Sequence, residues 1–360
     1  MFIMLQTKQS VHKAICSIAV LILLKITLHA QEAKIERKAV GGFNLEIYIP
    51  SGYDTIKAYK VLYFNDGQTI FGKQGLNVDG SVEKLLKQQL IEPIIIVGIY
   101  SDQNRTSNYV PYFDEGARQD FGDYQPSAKA YTQKIINSII PFIEKNYKTK
   151  PGNGIAGYSF GGLHATWAAL NYPETFLFSG ALSPSYWVND FEIFKEGNKA
   201  KQTQIYYFDV GTGEWNYYVP MLLHSKLPVL KKIFYYEDFG GNHDVSSWKG
   251  QRVDNILLLF SGKTDSLKYE WDIQLEIIKS AYTGRFYPRI NPVIHYSNGL
   301  TCSLSYAAVF ILLNPGDGVV NKDGSFRFTG QNDLRVRIYF NGEEKIIMVS
   351  YKEVSEIMRK

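Results

Sequence analysis

Cysteine is scarce in this chain of 360 residues, and that scarcity excludes a fold held together by disulfides. The sequence contains two cysteines, Cys16 and Cys302. Cys16 falls in an N-terminal segment that we expect to be removed, so Cys302 has no partner for an intramolecular disulfide. The small secreted domains whose stability depends on disulfides are therefore excluded.

Excess charge and the motifs for metals and nucleotides are also missing. Without residues 1–30, which hold three lysines and no acidic residue, 36 basic residues face 35 acidic ones. This balance gives no reason to expect binding to nucleic acid or to anionic membranes. H-E-x-x-H, calcium-loop and P-loop motifs are absent, as is G-x-G-x-x-G after a strand. We predict that the protein needs no metal and no other cofactor.

Residues 1–30 have the features of a secretory signal peptide. Lys8 and Lys13 form a basic start, residues 14–24 form an apolar stretch, and cleavage is expected after Ala30. The apolar run is shorter than the roughly 20 residues that a membrane-spanning helix needs. We therefore predict an exported bacterial protein, periplasmic or secreted, without a stable membrane span in the mature chain. The lack of disulfides favours the periplasm.

Strand-like and helical segments alternate over residues 31–265. Residues 34–50 predict a hairpin, and the apolar runs 59–64 and 93–100 predict buried strands. Isoleucines at helical spacing predict a helix over residues 128–147. Further strands are predicted at 178–182, 204–210 and 232–236, and helices at 82–89 and 161–171. The alternation predicts an α/β fold with a mostly parallel sheet and helices on both faces.

The pattern changes near Gly262 to short strands separated by turns such as Asn298-Gly299 and Asn341-Gly342. We interpret residues 270–352 as a small all-β sandwich, with an immunoglobulin-like arrangement as one option. The predicted division is thus a signal peptide, a catalytic domain over 31–265 and an accessory β domain. The accessory domain is expected to be structural or to contact carbohydrate.

The segment Gly157-Tyr158-Ser159-Phe160-Gly161-Gly162 is the strongest chemical signal. It follows a predicted strand and precedes a predicted helix, which is the context of a nucleophile elbow. Glycines two residues before and after Ser159 permit a turn that lifts its hydroxyl clear of the sheet, next to a helix N-terminus. Ser159 is the predicted nucleophile, and the alternative is a serine in a turn that only packs helix on strand.

A serine hydroxyl needs a base within hydrogen-bond distance at neutral pH. His243 follows an apolar strand late in the domain, as the base does in α/β-hydrolases, and we predict that it is the base. His164 lies five residues after Ser159 and is interpreted as structural. His224 and His295 are interpreted as packing or surface residues.

The acid that orients the imidazole should follow the strand at residues 204–210. Glu214 lies beyond the end of that strand, whereas Asp209 lies within it. We favour Glu214 and keep Asp209 as the alternative. For the oxyanion hole, the backbone N–H of Phe160 follows the nucleophile directly, and Gln68 is the candidate for the second donor.

These residues together resemble the esterase family that includes S-formylglutathione hydrolase, feruloyl and acetylxylan esterases and enterobactin-type trilactone hydrolases. The matching segments are Val61-Leu62-Tyr63, Asp66-Gly67-Gln68, Ile140-Pro141-Phe142-Ile143-Glu144, Ala156 to Gly162, Tyr172-Pro173-Glu174-Thr175-Phe176, Ser183-Pro184-Ser185-Tyr186-Trp187, Val210 to Glu214, and Gly241-Asn242-His243-Asp244 with Trp248. The resemblance spans roughly residues 35–262. It implies the α/β-hydrolase fold and a Ser159, Glu214, His243 triad, although many members carry Asp at the Glu214 position.

The polar and aromatic stretch 101–126 is predicted to be a long functional loop. The candidate substrate-binding residues are Arg118, Tyr124, Tyr158 and Trp187. Export argues against S-formylglutathione, so a carbohydrate-linked acetyl or feruloyl ester is the first expected substrate. A siderophore trilactone is the second, because Arg105 or Arg118 suits an anionic catecholate. An acyltransferase and a non-catalytic binding protein on the same fold remain as alternatives.

Overall fold

The computed structural model describes residues 31–214, 232–263, 268–279 and 285–359. The predicted signal peptide and His224 lie outside these ranges. Within them, no helix has both the length and the apolar character needed to cross a membrane.

An eight-stranded sheet forms the centre of the molecule, in the order β1-β2-β4-β3-β5-β6-β7-β8. Its strands are β1 Lys34–Val40, β2 Phe43–Ile49, β3 Lys60–Asn65, β4 Ile94–Ile99, β5 Asn153–Tyr158, β6 Phe176–Leu182, β7 Ile205–Gly211 and β8 Ile233–Asp238. The pairs β1/β2 and β2/β4 are antiparallel, and every later pair is parallel. The predicted α/β-hydrolase fold with a mostly parallel sheet is confirmed.

Both faces of this sheet are covered. Val61 and Tyr63 of β3 belong to one buried apolar cluster, whereas Leu62 and Phe64 belong to a second cluster on the opposite face. Because successive side chains of a strand point to opposite faces, a continuous apolar run such as β3 requires packing on both sides.

Helices provide that packing. The helical segments between the strands are Val78–Lys87, Arg105–Tyr109, Glu115–Phe121, Ala128–Lys134, Ile135–Ile139, Ile140–Asn146, Phe160–Asn171, Val188–Phe191, Glu192–Lys199, Val245–Trp248 and Gln251–Ser261. The helix predicted over 128–147 contains a π-helical turn at Ile135–Ile139. The prediction of one long loop over 101–126 is wrong, because two short helices lie there. Asp114 caps the second by accepting a hydrogen bond from the Ala117 backbone N–H at 2.7 Å.

The C-terminal region is built from antiparallel sheets, as predicted. Its strands are β9 Tyr269–Lys279, β10 Phe286–Tyr296, β11 Thr301–Ser303, β12 Val309–Leu312, β13 Gly318–Val320, β14 Phe326–Phe328, β15 Leu334–Phe340 and β16 Glu343–Val349, followed by the helix Tyr351–Met358. They form the sheets β11-β10-β9, β12-β15-β16 and β13-β14. The rings of Trp271 and Phe340 pack across the first two sheets, 6.3 Å apart. The exact domain boundaries stay a prediction.

This region packs beside β8, the last strand of the central sheet. The Ser303 hydroxyl accepts a hydrogen bond from the Glu237 backbone N–H at 3.0 Å, and the Tyr306 hydroxyl donates to the Ile233 carbonyl at 3.0 Å. An uncovered edge strand is a site for unwanted pairing, so the contact protects the central sheet.

Ionisable side chains are buried at this contact. Arg289 pairs with Glu237 at 2.5 Å, and Glu276 accepts a hydrogen bond from the Asn291 amide at 2.8 Å. Burial, and then the charge of Glu237, raise the pKa of Glu276 above its ordinary value. Glu276 therefore keeps its proton to higher pH in the folded protein than in the unfolded chain.

The shifted pKa of Glu276 makes stability depend on pH. Because the folded-state pKa is raised, its stabilising contribution is present below the ordinary glutamate pKa of about 4.3 and is lost as the pH rises through the folded-state value. Glu276→Gln cannot ionise, so we expect its Tm relative to wild type to be higher at pH 8 than at pH 5. Thermal unfolding at both pH values measures this difference, with Glu270→Gln, an exposed position on the same strand, as control. An equal Tm difference at both pH values would contradict the prediction.

Candidate active site

Ser159 sits at the turn between β5 and the helix Phe160–Asn171. Its backbone has φ 54° and ψ −123°, a strained conformation for a residue with a side chain. A Cβ at Gly157 would lie 2.5 Å from the Gly161 carbonyl carbon, so the turn requires glycine there. The sequence thus forms the tight elbow that its glycines predict.

His243 meets this serine from the loop after β8. Its Nε2 lies 3.0 Å from the Ser159 Oγ, within hydrogen-bond distance. The Trp248 ring packs nearly perpendicular to the imidazole, with 5.1 Å between ring centres. Both Ser159 and His243 are half-buried.

Glu214 lies on the far side of the imidazole. Its Oε2 is 2.8 Å from the His243 Nδ1, and its Oε1 accepts hydrogen bonds from the Gly211 backbone N–H at 2.7 Å and from the Ser183 hydroxyl. Burial alone would raise the pKa of Glu214, but the His243 hydrogen bond and the nearby Arg252 charge outweigh burial and hold that pKa below its ordinary value. The carboxylate is therefore ionised and positioned to orient the ring.

Asp209, the alternative acid, has other partners. Its Oδ1 accepts from the Ser183 backbone N–H at 2.9 Å and pairs with Arg252, and its Oδ2 accepts from the Tyr207 hydroxyl at 2.8 Å. Of the two candidate acids, Glu214 is the one in contact with His243.

The two predicted oxyanion donors lie at turns that follow strands of the central sheet. Phe160 is the first residue of the elbow helix, where a backbone N–H has no acceptor within the helix. Gln68 lies in the 3₁₀ turn Gly67–Thr69 after β3, and its side chain is held by Ser101 through bonds of 2.6 and 3.1 Å. The side chain of Gln68 is thus occupied, and its backbone N–H is the group offered as the second donor.

An ion pair between Arg105 and Asp66 stabilises the start of the turn Gly67–Thr69. Arg105 donates to both carboxylate oxygens of Asp66, at 2.7 and 2.8 Å, and Asp66 is fully buried. The same guanidinium lies over the rings of Tyr158 and Phe160, at 5.6 and 6.0 Å. Arg105 was a candidate partner for an anionic catecholate, and here it is engaged by Asp66.

Aromatic side chains surround the elbow. Tyr158 stacks on Trp248 with ring centres 4.4 Å apart, and its hydroxyl lies 2.9 Å from the Thr69 hydroxyl. The rings of Trp187 and Phe121 contact Phe160, at 6.0 and 4.8 Å. Phe121, which the sequence did not single out, is 55% exposed. Tyr158 and Trp187 therefore lie beside the candidate nucleophile, as a substrate-binding role requires.

Tyr124, a predicted substrate-binding residue, has its hydroxyl engaged within the protein, and its role in binding substrate stays a prediction. This side chain is buried, and its hydroxyl accepts from the Asp114 backbone N–H at 2.8 Å and donates to the Tyr112 carbonyl at 2.9 Å. The Tyr124 hydroxyl thus links its own segment to the backbone at Tyr112 and Asp114. Arg118 forms ion pairs with Glu115 and Asp123, and its role in binding substrate stays a prediction.

His164 has the structural environment that the sequence suggested. It is fully buried, with Nδ1 3.0 Å from the Asn65 amide nitrogen and Nε2 2.9 Å from the Thr132 hydroxyl. Burial lowers the pKa of His164 to about 3, so the ring is neutral. It links the end of β3 to the elbow helix.

Besides Phe121, sequence reasoning assigned no role to Ser183 or Arg252. Ser183 bonds to Glu214 and accepts from the Trp248 indole N–H at 2.8 Å. Arg252 is 1% exposed and contacts Asp209 and Ser183. The available signal for Arg252 was a basic residue in the first turn of the helix Gln251–Ser261.

Comparison with known proteins identifies relatives of this chain. The family model described as "Putative esterase" matches residues 41–251, more than half of the chain. The uncharacterized protein YbbA of Bacillus subtilis is 31% identical over 156 residues, covering 42% of this chain and 60% of YbbA. An endo-1,4-beta-xylanase/feruloyl esterase of Xylanibacter ruminicola is 30% identical over 152 residues, covering 38% of this chain and 19% of that protein.

The fold also matches solved structures. The enterobactin esterase FES from Shigella flexneri superposes with a TM-score of 0.51 at 19% identity, covering 64% of this chain and 59% of that one. At this identity the likeness concerns the fold. The chain spans about 60% of the length of YbbA and a smaller share of the xylanase/feruloyl esterase.

Proposed function

The chain belongs to this esterase family, and we propose that it is a serine esterase that hydrolyses carboxylic esters through an acyl-enzyme on Ser159. The observation that carries the proposal is the continuous contact from Ser159 Oγ to His243 Nε2 at 3.0 Å and from His243 Nδ1 to Glu214 Oε2 at 2.8 Å. A nucleophile, a base and an acid in this geometry are the requirements for acyl transfer by serine.

In the first half of the reaction, Ser159 Oγ attacks the ester carbonyl carbon and transfers its proton to His243 Nε2. Glu214 stabilises the imidazolium, and the backbone N–H groups of Phe160 and Gln68 stabilise the oxyanion. Collapse of the tetrahedral intermediate breaks the bond to the alcohol, which takes the proton from His243. Ser159 is then acylated.

In the second half, water replaces the alcohol. His243 takes a proton from the water as it attacks the acyl carbon, and returns that proton to Ser159 Oγ when the acid is released. An acyltransferase would use a sugar hydroxyl in place of water with the same residues. Analysis of the products distinguishes the two reactions.

For the substrate, we propose an ester linked to carbohydrate, with an acetyl or feruloyl acyl group. Two features support this choice: the relative from Xylanibacter ruminicola is a xylanase/feruloyl esterase, and the rings of Phe121 and Trp187 contact Phe160, the residue after Ser159. Aromatic side chains suit an aromatic acyl group or the face of a sugar. The second candidate is a siderophore trilactone; the enterobactin esterase FES shares this fold.

A substrate panel tests this proposal. Acetylated xylan, feruloylated xylan and a catecholate trilactone are each incubated with wild type and with Ser159→Ala, and released acid is measured. Serine-dependent release from either xylan supports the first candidate. Release from the trilactone alone would replace it with the second, and no serine-dependent release from any ester would favour a non-catalytic binding protein.

For the location of the protein, we propose that residues 1–30 are removed and that the mature chain is exported to the periplasm or secreted. The N-terminal sequence supports this proposal.

For the C-terminal strands we propose a structural role. It is supported by the hydrogen bonds that join Ser303 and Tyr306 to β8 and by the bond from the Asn255 amide to the Thr301 carbonyl at 2.8 Å.

A further inference from the structure

Three carboxylates converge behind the imidazole of His243, and one buried arginine faces all of them. Arg252 Nη2 contacts the carboxylate of Asp209 and the hydroxyl of Ser183. Its Nη1 lies 3.5 Å from Glu214 Oε1 and 3.9 Å from Asp238 Oδ2. The side chains of Asp209 and Glu214 are completely buried, and that of Asp238 is 28% exposed.

The two carboxylate oxygens of Glu214 contact different groups. Oε2 faces His243, whereas Oε1 is held by Ser183, by the Gly211 backbone N–H and, at longer range, by Arg252. Ser183 has φ 42°, an uncommon conformation for a residue with a side chain, and that backbone position lets its hydroxyl reach both Glu214 and Arg252.

The charge balance of this cluster explains why an arginine is needed. With Arg252 present, its positive charge offsets that of Asp209. Glu214, together with the partly exposed Asp238 at 3.9 Å from Arg252, then supplies the negative charge that stabilises a protonated His243. Without it, two fully buried carboxylates would face the imidazole without a permanent cation. The nearby Tyr207 and Tyr236 do not supply charge, because burial raises the pKa of both phenols well above neutral pH.

We propose that Arg252 is a positioning residue for the reaction: it fixes the Oε1 side of Glu214 and sets the charge that His243 experiences. This inference rests on the function proposed above, since it concerns the same histidine and the same acid. Arg252 acts through Glu214 and Ser183 and has no contact with Ser159 among those described.

The charge argument gives opposite signs for two substitutions. Arg252→Gln removes a positive charge next to Glu214, so we expect the acid limb of the kcat/KM profile to move up by about one pH unit. Asp209→Asn removes a negative charge, and the limb moves down. The double variant Asp209→Asn/Arg252→Gln restores the charge balance, and its midpoint returns toward that of wild type.

The experiment measures kcat/KM for p-nitrophenyl acetate from pH 5 to pH 9 with these variants and with Arg252→Lys. Arg252→Lys keeps the charge but loses the planar fork, so we expect kcat/KM to fall by roughly tenfold, with the midpoint near that of wild type. Arg289→Gln is the matched control, a buried arginine paired with Glu237 at the domain contact. It should lower Tm without moving the midpoint.

The outcomes separate this inference from the proposed function. If wild type hydrolyses the ester and Ser159→Ala does not, the proposed function stands. Midpoints that then stay within error of wild type in Arg252→Gln and Asp209→Asn would overturn the role of Arg252. Asp209→Asn preserves side-chain volume, so it carries the test if Arg252→Gln does not fold. A wild type without serine-dependent hydrolysis would overturn both.

Discussion

Replacement of Ser159 by alanine is expected to lower kcat/KM for p-nitrophenyl acetate roughly a thousandfold or more. The hydroxyl that attacks the ester is lost, and water in its place lacks both the position and the activation that His243 provides. His243→Ala should have an effect of similar size, because the serine then has no acceptor for its proton. The two losses should not add, since both residues act in the same step.

Ser185→Ala is the matched control for this prediction. The Ser185 hydroxyl lies 3.3 Å from the Ser159 hydroxyl, and Ser185 is almost completely buried, so it resembles the nucleophile in chemistry and location. It has no base among its described hydrogen bonds, and we expect its substitution to retain most of the activity. A loss in Ser185→Ala equal to that in Ser159→Ala would contradict the assignment of the nucleophile.

Replacement of Glu214 by glutamine is expected to lower kcat by roughly a thousandfold. Glutamine keeps the size of the side chain but loses the negative charge that stabilises the imidazolium. Its amide can also present an N–H to His243 Nδ1, which would favour the wrong tautomer of the ring. Steady-state rates at saturating substrate measure the effect.

Asp209→Asn provides the comparison for Glu214→Gln. Both substitutions remove one buried carboxylate close to Arg252, but only Glu214 contacts His243 among the described residues. We expect Asp209→Asn to retain most of the wild-type kcat. A larger loss in Asp209→Asn than in Glu214→Gln would mean that Asp209 orients the base, against the observed contacts.

The fold class and the central pair of the site were predictable because their signals are local. The apolar runs of β3 and β4 can be satisfied only in a sheet covered on both faces. The glycines around Ser159 indicate a tight turn, in which Ser159 has a backbone conformation that residues with side chains rarely adopt. His243 followed from its position after a strand late in the domain.

Other features depend on contacts between distant parts of the chain, and the sequence did not reveal them. The helices Arg105–Tyr109 and Glu115–Phe121 are too short to be stable alone, so they form through capping and packing. The direction in which Tyr124 points is set by its bonds to Tyr112 and Asp114. Arg252 contacts carboxylates on β7, on β8 and on the loop after β7. Contacts between such distant parts of the chain leave no local sequence pattern.

The most direct test of the central claim is labelling by a fluorophosphonate probe, followed by mass spectrometry of the peptides. The probe forms a covalent bond with a serine whose hydroxyl is activated by a base. We predict that wild type is labelled on Ser159, that Ser159→Ala is not labelled, and that His243→Ala reacts much more slowly. A folded wild type that fails to react, or labelling that persists unchanged in Ser159→Ala, would contradict the claim that this protein acts through Ser159.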